Sequence, residues 1–272
     1  MNERDPPSFL LGGIYLLEIK DLNVWFGGLH AVKDFNMIVE DNEIHSLIGP
    51  NGAGKTTVFN AVTKVIKFQS GRISLDGEDI TKLKSHEIVR KGISRTFQNV
   101  VLFKYMTVFE NLLVGYHTRY EMSMIDEVFL TKRYSRETWK AFSKVLDVAD
   151  LLDLKNKLNL PVSILPYGVQ KVVEIGRALM AEPKIVLLDE PVAGLTEIET
   201  KDMIGIIKKI RNDWGVTIVL VEHDMSVVMS ISDTITVMNF GKKIAEGKPE
   251  EIKRNPEVIK AYLGDDTVAS SA

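Results

Sequence analysis

The chain has 272 residues, with 34 Lys and Arg against 37 Asp and Glu and no cysteine. Lack of cysteine excludes disulfides, thiolate metal sites and cysteine nucleophiles, and suits a reducing compartment. A net charge of −3 sets up no overall positive field to draw nucleic acid, and the length is ample for burying a core as one large domain or two small ones.

The first apolar stretch, FLLGGIYLL at residues 9–17, is roughly half of the ~20 residues needed to cross a bilayer. It has neither the small-residue cleavage site nor the basic start of a secretory signal. Residues 1–13, with Pro6, Pro7, Gly12 and Gly13, read as a loose extension, and Tyr15–Ile19 as the first strand. Short strands follow at 35–39, 44–48 and 71–75. Residues 105–180 read as almost wholly helical, with Ser135–Val148 a polar-faced amphipathic helix. Beyond them, the buried β-branched runs Ile185–Asp189, Thr217–Glu222 and Thr234–Asn239 alternate with helical patterns, as in a mostly parallel sheet covered on both faces. No repeat or low-complexity tract interrupts this order. It gives three lobes: a strand-rich N-terminal part, an α/β core, and a helical insertion that divides the core.

Residues 43–59, EIHSLIGPNGAGKTTVF, are an apolar strand running through Gly49, Pro50, Asn51, Gly52, Ala53, Gly54, Lys55 and Thr56 into a helix. This is a complete phosphate-binding loop in its required strand–loop–helix context. Its glycines let successive N–H groups converge on a phosphate, Lys55 reaches β and γ oxygens, the Thr56 hydroxyl can hold Mg²⁺, and Thr57 adds a donor. The same chemistry needs a metal-side carboxylate and a group to handle water. IVLLDE at 185–190 supplies both. Asp189 ends a buried strand, where it can bind Mg²⁺ directly or through water, and Glu190 opens the next loop as general base.

LPYGVQKVVEIGRALM at 165–180 places a proline and a glycine at the mouth of a helix. Proline is tolerated there, and glycine lets another group come close to the free N–H donors, so the stretch has the form of an anion site.

These features together resemble the nucleotide-binding subunit of an ATP-binding cassette (ABC) transporter, over roughly residues 15–263. The resemblance implies an α/β fold: a P-loop NTPase cassette with a RecA-like core, an N-terminal antiparallel β subdomain, and a helical subdomain at about 100–180. It makes residues 14–266 a single ATP-binding domain and residues 267–272 a C-terminal tail. By matching position, Gln98 in GISRTFQN is the Q-loop glutamine that senses Mg²⁺ and the attacking water, and His223 in VLVEHDM is the switch histidine at the γ-phosphate. Phe26 in WFGG matches the aromatic that stacks on adenine, with Trp25 beside it the other candidate. PVAGLT at 191–196 matches the D-loop, although Thr196 stands where many members carry aspartate.

LPYGVQ then corresponds to the family signature, commonly LSGGQ, which binds the γ-phosphate held by the opposite subunit of a head-to-tail dimer. Pro166 replaces the serine, Tyr167 the first glycine and Val169 the final glutamine, leaving Gly168 and the helix start. The tail IAEGKPEEIKRNPEVIKAYLGDD at 244–266, with RTFQ, MTVFENLLVG and VEIGRALM, resembles cassette subunits of the Liv type, which serve branched-chain amino acid importers. Relatives with this pattern also serve amide, urea or aromatic-acid import. The implied partners are a second cassette subunit, two membrane permease subunits and, indirectly, a solute-binding protein outside the membrane, with no nucleic acid. The implied place is the cytoplasmic face of the membrane, with ATP and Mg²⁺ bound. Residues 101–113 are apolar and follow Gln98, where importers of this family dock a permease helix; the same residues also suit the core of the helical lobe. The alternative is a non-transport ABC ATPase, but the paired cassettes or long inserted arms usual in those proteins are not seen.

Overall fold

The structure, a computed structural model, describes residues 15–120, 126, 129 and 131–263. The expected extension at 1–13 and tail at 267–272 lie outside them. Two sheets carry the fold. One is antiparallel, in the order β2 (Leu29–Glu40), β1 (Tyr15–Phe26), β4 (Ser70–Leu75), β5 (Glu78–Asp79). The other runs β10 (Lys242–Gly247), β9 (Thr234–Asn239), β3 (Ile44–Ile48), β8 (Thr217–Val221), β7 (Ile185–Asp189), β6 (Ile93–Arg95). Its strands pair parallel except for β10, which closes one edge antiparallel to β9.

Strands β3, β7 and β8 are buried at every position, as parallel strands covered on both faces must be. On one side Leu47, Leu187, Val219 and Val221 pack with Phe35, Met37 and Ile73 of the antiparallel sheet. On the other, Ile44, Val186, Leu188 and Leu220 pack against the helical lobe. That lobe is built from α3 (Val108–Gly115), α4 (Lys132–Leu151) and α5 (Tyr167–Leu179). In chain order the other helices are α1 (Lys55–Val62), α2 (Ser85–Lys91), α6 (Glu197–Trp214), α7 (Met225–Ile231), α8 (Pro249–Arg254) and α9 (Pro256–Leu263).

The first two strands are each 12 residues long, well beyond the expected 15–19 and 35–39. Asp21 and Asp34 lie outside the spans expected for these strands. They sit at irregularities of one long hairpin, with φ of 48° and 44°, and the ladder resumes past each until Phe26 faces Leu29 across Gly27-Gly28. The stretch 105–180 is also less helical than its apolar content suggests. After α4 only short 3₁₀ turns occur, at Lys155–Lys157 and Val162–Ile164, before α5 begins. Pro161 pairs with Thr107 in an isolated bridge, and its ring bars a helix from running through. The amphipathic helix expected at 135–148 is present and longer, Lys132–Leu151.

Asn111, fully buried on α3, organises the segment that enters this lobe. Its side-chain oxygen accepts from the Phe103 N–H at 2.9 Å, and its amide nitrogen lies 3.0–3.3 Å from the carbonyls of Phe103, Met106 and Thr107. Asn111→Leu would leave those groups unsatisfied, at about 1–3 kcal/mol for a buried group so stranded. The expected outcome is a lower urea midpoint at unchanged m-value.

Candidate nucleotide site

The turn from β3 into α1 lies close against the end of β9 and against β2. A Cβ on Gly49 would overlap the carbonyl of Met238 at the end of β9, so only glycine fits there. Gly54 is the N-cap of α1 and makes no side-chain cap bond. By contrast, Thr107, Thr196 and Asp224 each cap the helix that follows them with a side-chain oxygen. The first-turn donors of α1 are therefore presented to a ligand and not consumed internally. Lys55 is buried, and its ammonium donates to the Gly49 and Pro50 carbonyls at 2.6 and 3.1 Å. Burial pulls its pKa below the ordinary lysine value, opposed by Glu190 and Asp189.

A cavity of about 640 Å³ opens over this loop. Asn51 through Thr57, Gln98 and Glu190 line it, with Phe26 and Phe240 at its apolar side. Of the two aromatic candidates, Phe26 is in the wall, half exposed, while Trp25 is stacked on His30 with ring centroids 3.8 Å apart. A larger hollow of about 790 Å³ lies elsewhere, but there Lys144 already covers the Trp214 ring at 4.4 Å and the wall is mainly acidic. It offers no phosphate cradle.

Glu190 and Gln98 meet at the cavity, the Gln98 amide donating to Glu190 Oε2 at 2.9 Å. His223 stands beside them, 60% exposed, with Nδ1 3.9 Å from Glu190 Oε1 and 3.9 Å from Glu222 Oε2. Strand β8 ends at Val221, so Glu222 belongs to the following turn and not, as the sequence suggested, to the strand. Asp189 is 5% exposed and bound to Arg95, Nη2 to Oδ2 at 2.7 Å, while the other terminal nitrogen of Arg95 donates to Asn60. Breaking such a buried pair costs about 3–5 kcal/mol. Among the described residues no group of three or more His, Asp or Glu could hold a metal. The donors near the P-loop are hard oxygens, which fit Mg²⁺, an ion usually held by few protein ligands plus phosphates. Thr56 is exposed on the cavity wall, whereas Asp189 is engaged by Arg95 and does not line that cavity.

The second helix start lies apart from this cavity. Pro166 is the N-cap of α5, one residue before the first helical position, and no side chain caps the helix. Tyr167 and Gly168 open its first turn. The space a Cβ on Gly168 would take is filled by the Glu199 carboxylate, so the close approach that this glycine permits is made by the chain's own α6. Thr196, the departure from the usual aspartate, caps α6: its hydroxyl accepts from the Glu199 N–H, and Glu199 reaches back to the Thr196 N–H at 2.9 Å.

Four residues that carry the site were not singled out in the sequence. Arg95 pairs with Asp189. Glu174, buried on α5, accepts from the Val101 N–H at 3.4 Å, and burial raises its pKa. Glu222, its side chain fully buried, accepts from the Val192 and His223 N–H groups at 3.0 and 3.2 Å, and burial raises its pKa too. Lys171, 4% exposed, donates to the main-chain oxygen of Glu190 at 2.8 Å. For Glu174 and Lys171 a charged residue on the buried face of an otherwise apolar helix was the available signal, since such a group must find a partner.

A family model described as ABC transporter matches residues 32–193, and one described as branched-chain amino acid ATP-binding cassette transporter matches residues 242–268. The chain is 47% identical to the high-affinity branched-chain amino acid transport ATP-binding protein BraF of Pseudomonas aeruginosa, covering 92% of this chain and 98% of that one. It is 44% identical to LivG of Escherichia coli, over the same shares. Among solved structures, a nucleotide-free ATP-binding cassette from an ABC transporter superposes with a TM-score of 0.80 at 32% identity, covering 92% of this chain and all of the other. A cassette in its ADP conformation does so with a TM-score of 0.80 at 31% identity, covering 92% and 99%. The chain belongs to the ABC transporter family, as an ATP-binding cassette of the group that contains BraF and LivG.

Proposed function

We propose that the chain hydrolyses ATP to drive an importer of branched-chain amino acids or related small polar solutes, through permease subunits separate from it. The observation that carries this reading is the convergence of Lys55, Thr56, Gln98 and Glu190 on one cavity, in a chain so similar to BraF. No helix among the described residues is long and apolar enough to cross a membrane. A place at the cytoplasmic face of the membrane, bound through partners, follows from this reading.

In this reading the uncapped start of α1 holds the phosphates, and Phe26 offers its ring to adenine. A phosphate gives the Lys55 ammonium a charged acceptor in place of two neutral carbonyls, the stronger bond of the two. Mg²⁺, bound through Thr56 and, by way of water, Asp189, would neutralise charge on the β and γ oxygens. Glu190 takes a proton from the attacking water as its oxygen bonds to the γ-phosphorus and the bond to the ADP oxygen breaks. Gln98 holds the base by its 2.9 Å hydrogen bond, and His223 is near enough to steady the γ-phosphate.

Permease contact is assigned to the segment after Gln98. There Val101, Phe103 and Tyr105 are exposed, Tyr105 at 96%, whereas Val108 and Leu112 are in the lobe's core. The apolar stretch thus divides between the two roles its sequence allowed. A patch of this kind, held on a segment fixed by Asn111 and Glu174, is suited to a partner. The start of α5, uncapped like that of α1, is assigned to the γ-phosphate of a second cassette.

Three outcomes are expected. Glu190→Gln should retain ATP binding while turnover falls by the ~10²–10⁴ of a lost general base; turnover at the unmodified rate would remove Glu190 from that role. Tyr105→Asp with Phe103→Ser should reduce recovery of permease subunits on affinity purification from membranes while the isolated chain's ATPase is retained, and equal recovery would place the contact elsewhere. In a heterodimer, Pro166→Ser should restore a hydrogen bond to a charged oxygen, worth roughly 1.5–3 kcal/mol, at the partner's ATP. Nucleotide trapping in each subunit separately would locate the gain.

A further inference from the structure

We infer that Lys171 is a positioning residue for Glu190, tying the helix that begins at Pro166 to the main chain of the proposed base. The inference rests on Glu190 being that base. Glu190 has a φ of 50°, a left-handed conformation uncommon for a residue with a side chain and held only where the surroundings over-determine it. Its N–H is fixed to the Val221 carbonyl at 2.9 Å. Its own carbonyl accepts from the Ala193 N–H within the turn at 3.2 Å and from Lys171 Nζ at 2.8 Å. The lysine bond is the shorter, and it is the one that comes from another element.

Three carboxylates lie close enough to influence the Lys171 ammonium, those of Glu222, Glu174 and Glu190, and burial still pulls its pKa below the ordinary value. With acids on several sides, the hydrogen bond runs to a neutral carbonyl. A buried charge is costly, and a methionine of similar length would fill the same volume without that cost. What the ammonium adds is a fixed point on the peptide that aims the Glu190 carboxylate. Lys171 is also four residues beyond Tyr167, whose ring centroid is 5.5 Å from Nζ. The helix start assigned to a second cassette's phosphate and the base of this chain's own site are therefore joined through one side chain. A displacement of α5 is carried to the peptide that aims the base.

The test is a kinetic cycle on the full-length chain with Mg-ATP, in single turnover with enzyme in excess. Lys171→Met should lower the hydrolysis rate constant on the order of 10- to 10²-fold, the scale of a small misplacement of a reacting group, at unchanged ATP affinity and unchanged unfolding midpoint. Lys171→Arg should recover most of the rate. In the Glu190→Gln background, Lys171→Met should cost nothing further, because a residue that acts through the base has no effect once the base is gone. A wild-type rate for Lys171→Met would overturn the inference while leaving the base in place, as would an equal loss in both backgrounds. Should Lys171→Met not fold, Lys171→Gln, a donor too short to reach the carbonyl, takes its place with the same two readings. An unimpaired Glu190→Gln would instead strike at the base assignment itself.

Discussion

Parallel register in the six-stranded sheet is the constraint on which the site depends. Leu47 is level with Val221, and Val221 with Asp189, across three neighbouring strands. Since β3, β8 and β7 run the same way, their carboxyl ends share one edge, and the residues that follow each end are delivered together: the P-loop after Ile48, the turn with His223 after Val221, and Glu190 after Asp189. Strand β6 is one step further along, with Arg95 level with Leu187, and Gln98 follows it to the same edge. In an open parallel sheet this is where ligands bind.

Within that frame, the starts of α1, α2, α5 and α8 have no side-chain cap bond, but α2 and α8 carry glutamates in the first turn, so only α1 and α5 are both uncapped and free of acid there. The difference is chemical. Thr107, Thr196 and Asp224 satisfy their own helix starts, so an anion would gain little there. Gly54 and Pro166 offer no acceptor, which leaves first-turn N–H groups and the positive end of the dipole to a ligand. At α5 the altered signature has lost a hydroxyl yet kept this backbone feature. Glu199 beside Gly168 adds negative charge near that helix start, and so opposes an anion there more than an uncharged neighbour would.

The central strands were legible because full burial in a parallel sheet writes uninterrupted β-branched runs, and β7 and β9 fall where those runs do. The P-loop was legible because a cradle of backbone donors needs glycine in a fixed order. What escaped was set by contacts distant in sequence. Pairing between β1 and β2 carries the ladder past Asp21 and Asp34, which lie outside the expected strands. Strand β6 is three residues long and is a strand only because β7 lies beside it. That Phe26 lines the cavity while Trp25 stacks on His30 depends on packing that no spacing in the sequence carries. Arg95, Glu174, Lys171 and Glu222 lie inside quoted motifs, but the partners Asp189, Val101, Glu190 and Val192 are 19 to 94 residues away, beyond the reach of any motif.

Hydrogen bonds of Gln98, Glu174 and Asn111 join the site built on strand ends to the helical lobe. Gln98 holds Glu190 at one end of the segment 98–105, Glu174 of α5 holds Val101 in its middle, and Asn111 of α3 holds Phe103. Each of these is a hydrogen bond to a main-chain group or to the base itself, so the segment has little freedom to move without its neighbours. Its exposed side chains at Val101, Phe103 and Tyr105 are thereby tied to the carboxylate that faces the cavity. Coupling between sites requires two arrangements whose balance both sites bias. Under the proposed function a γ-phosphate would compete for Gln98 and a bound partner would bear on the segment anchored by Glu174, so the hydrogen bonds of those two residues are where such arrangements would differ. On that proposal a force on the exposed patch and a charge in the cavity would act on the same few bonds, and transport would be coupled to hydrolysis through them.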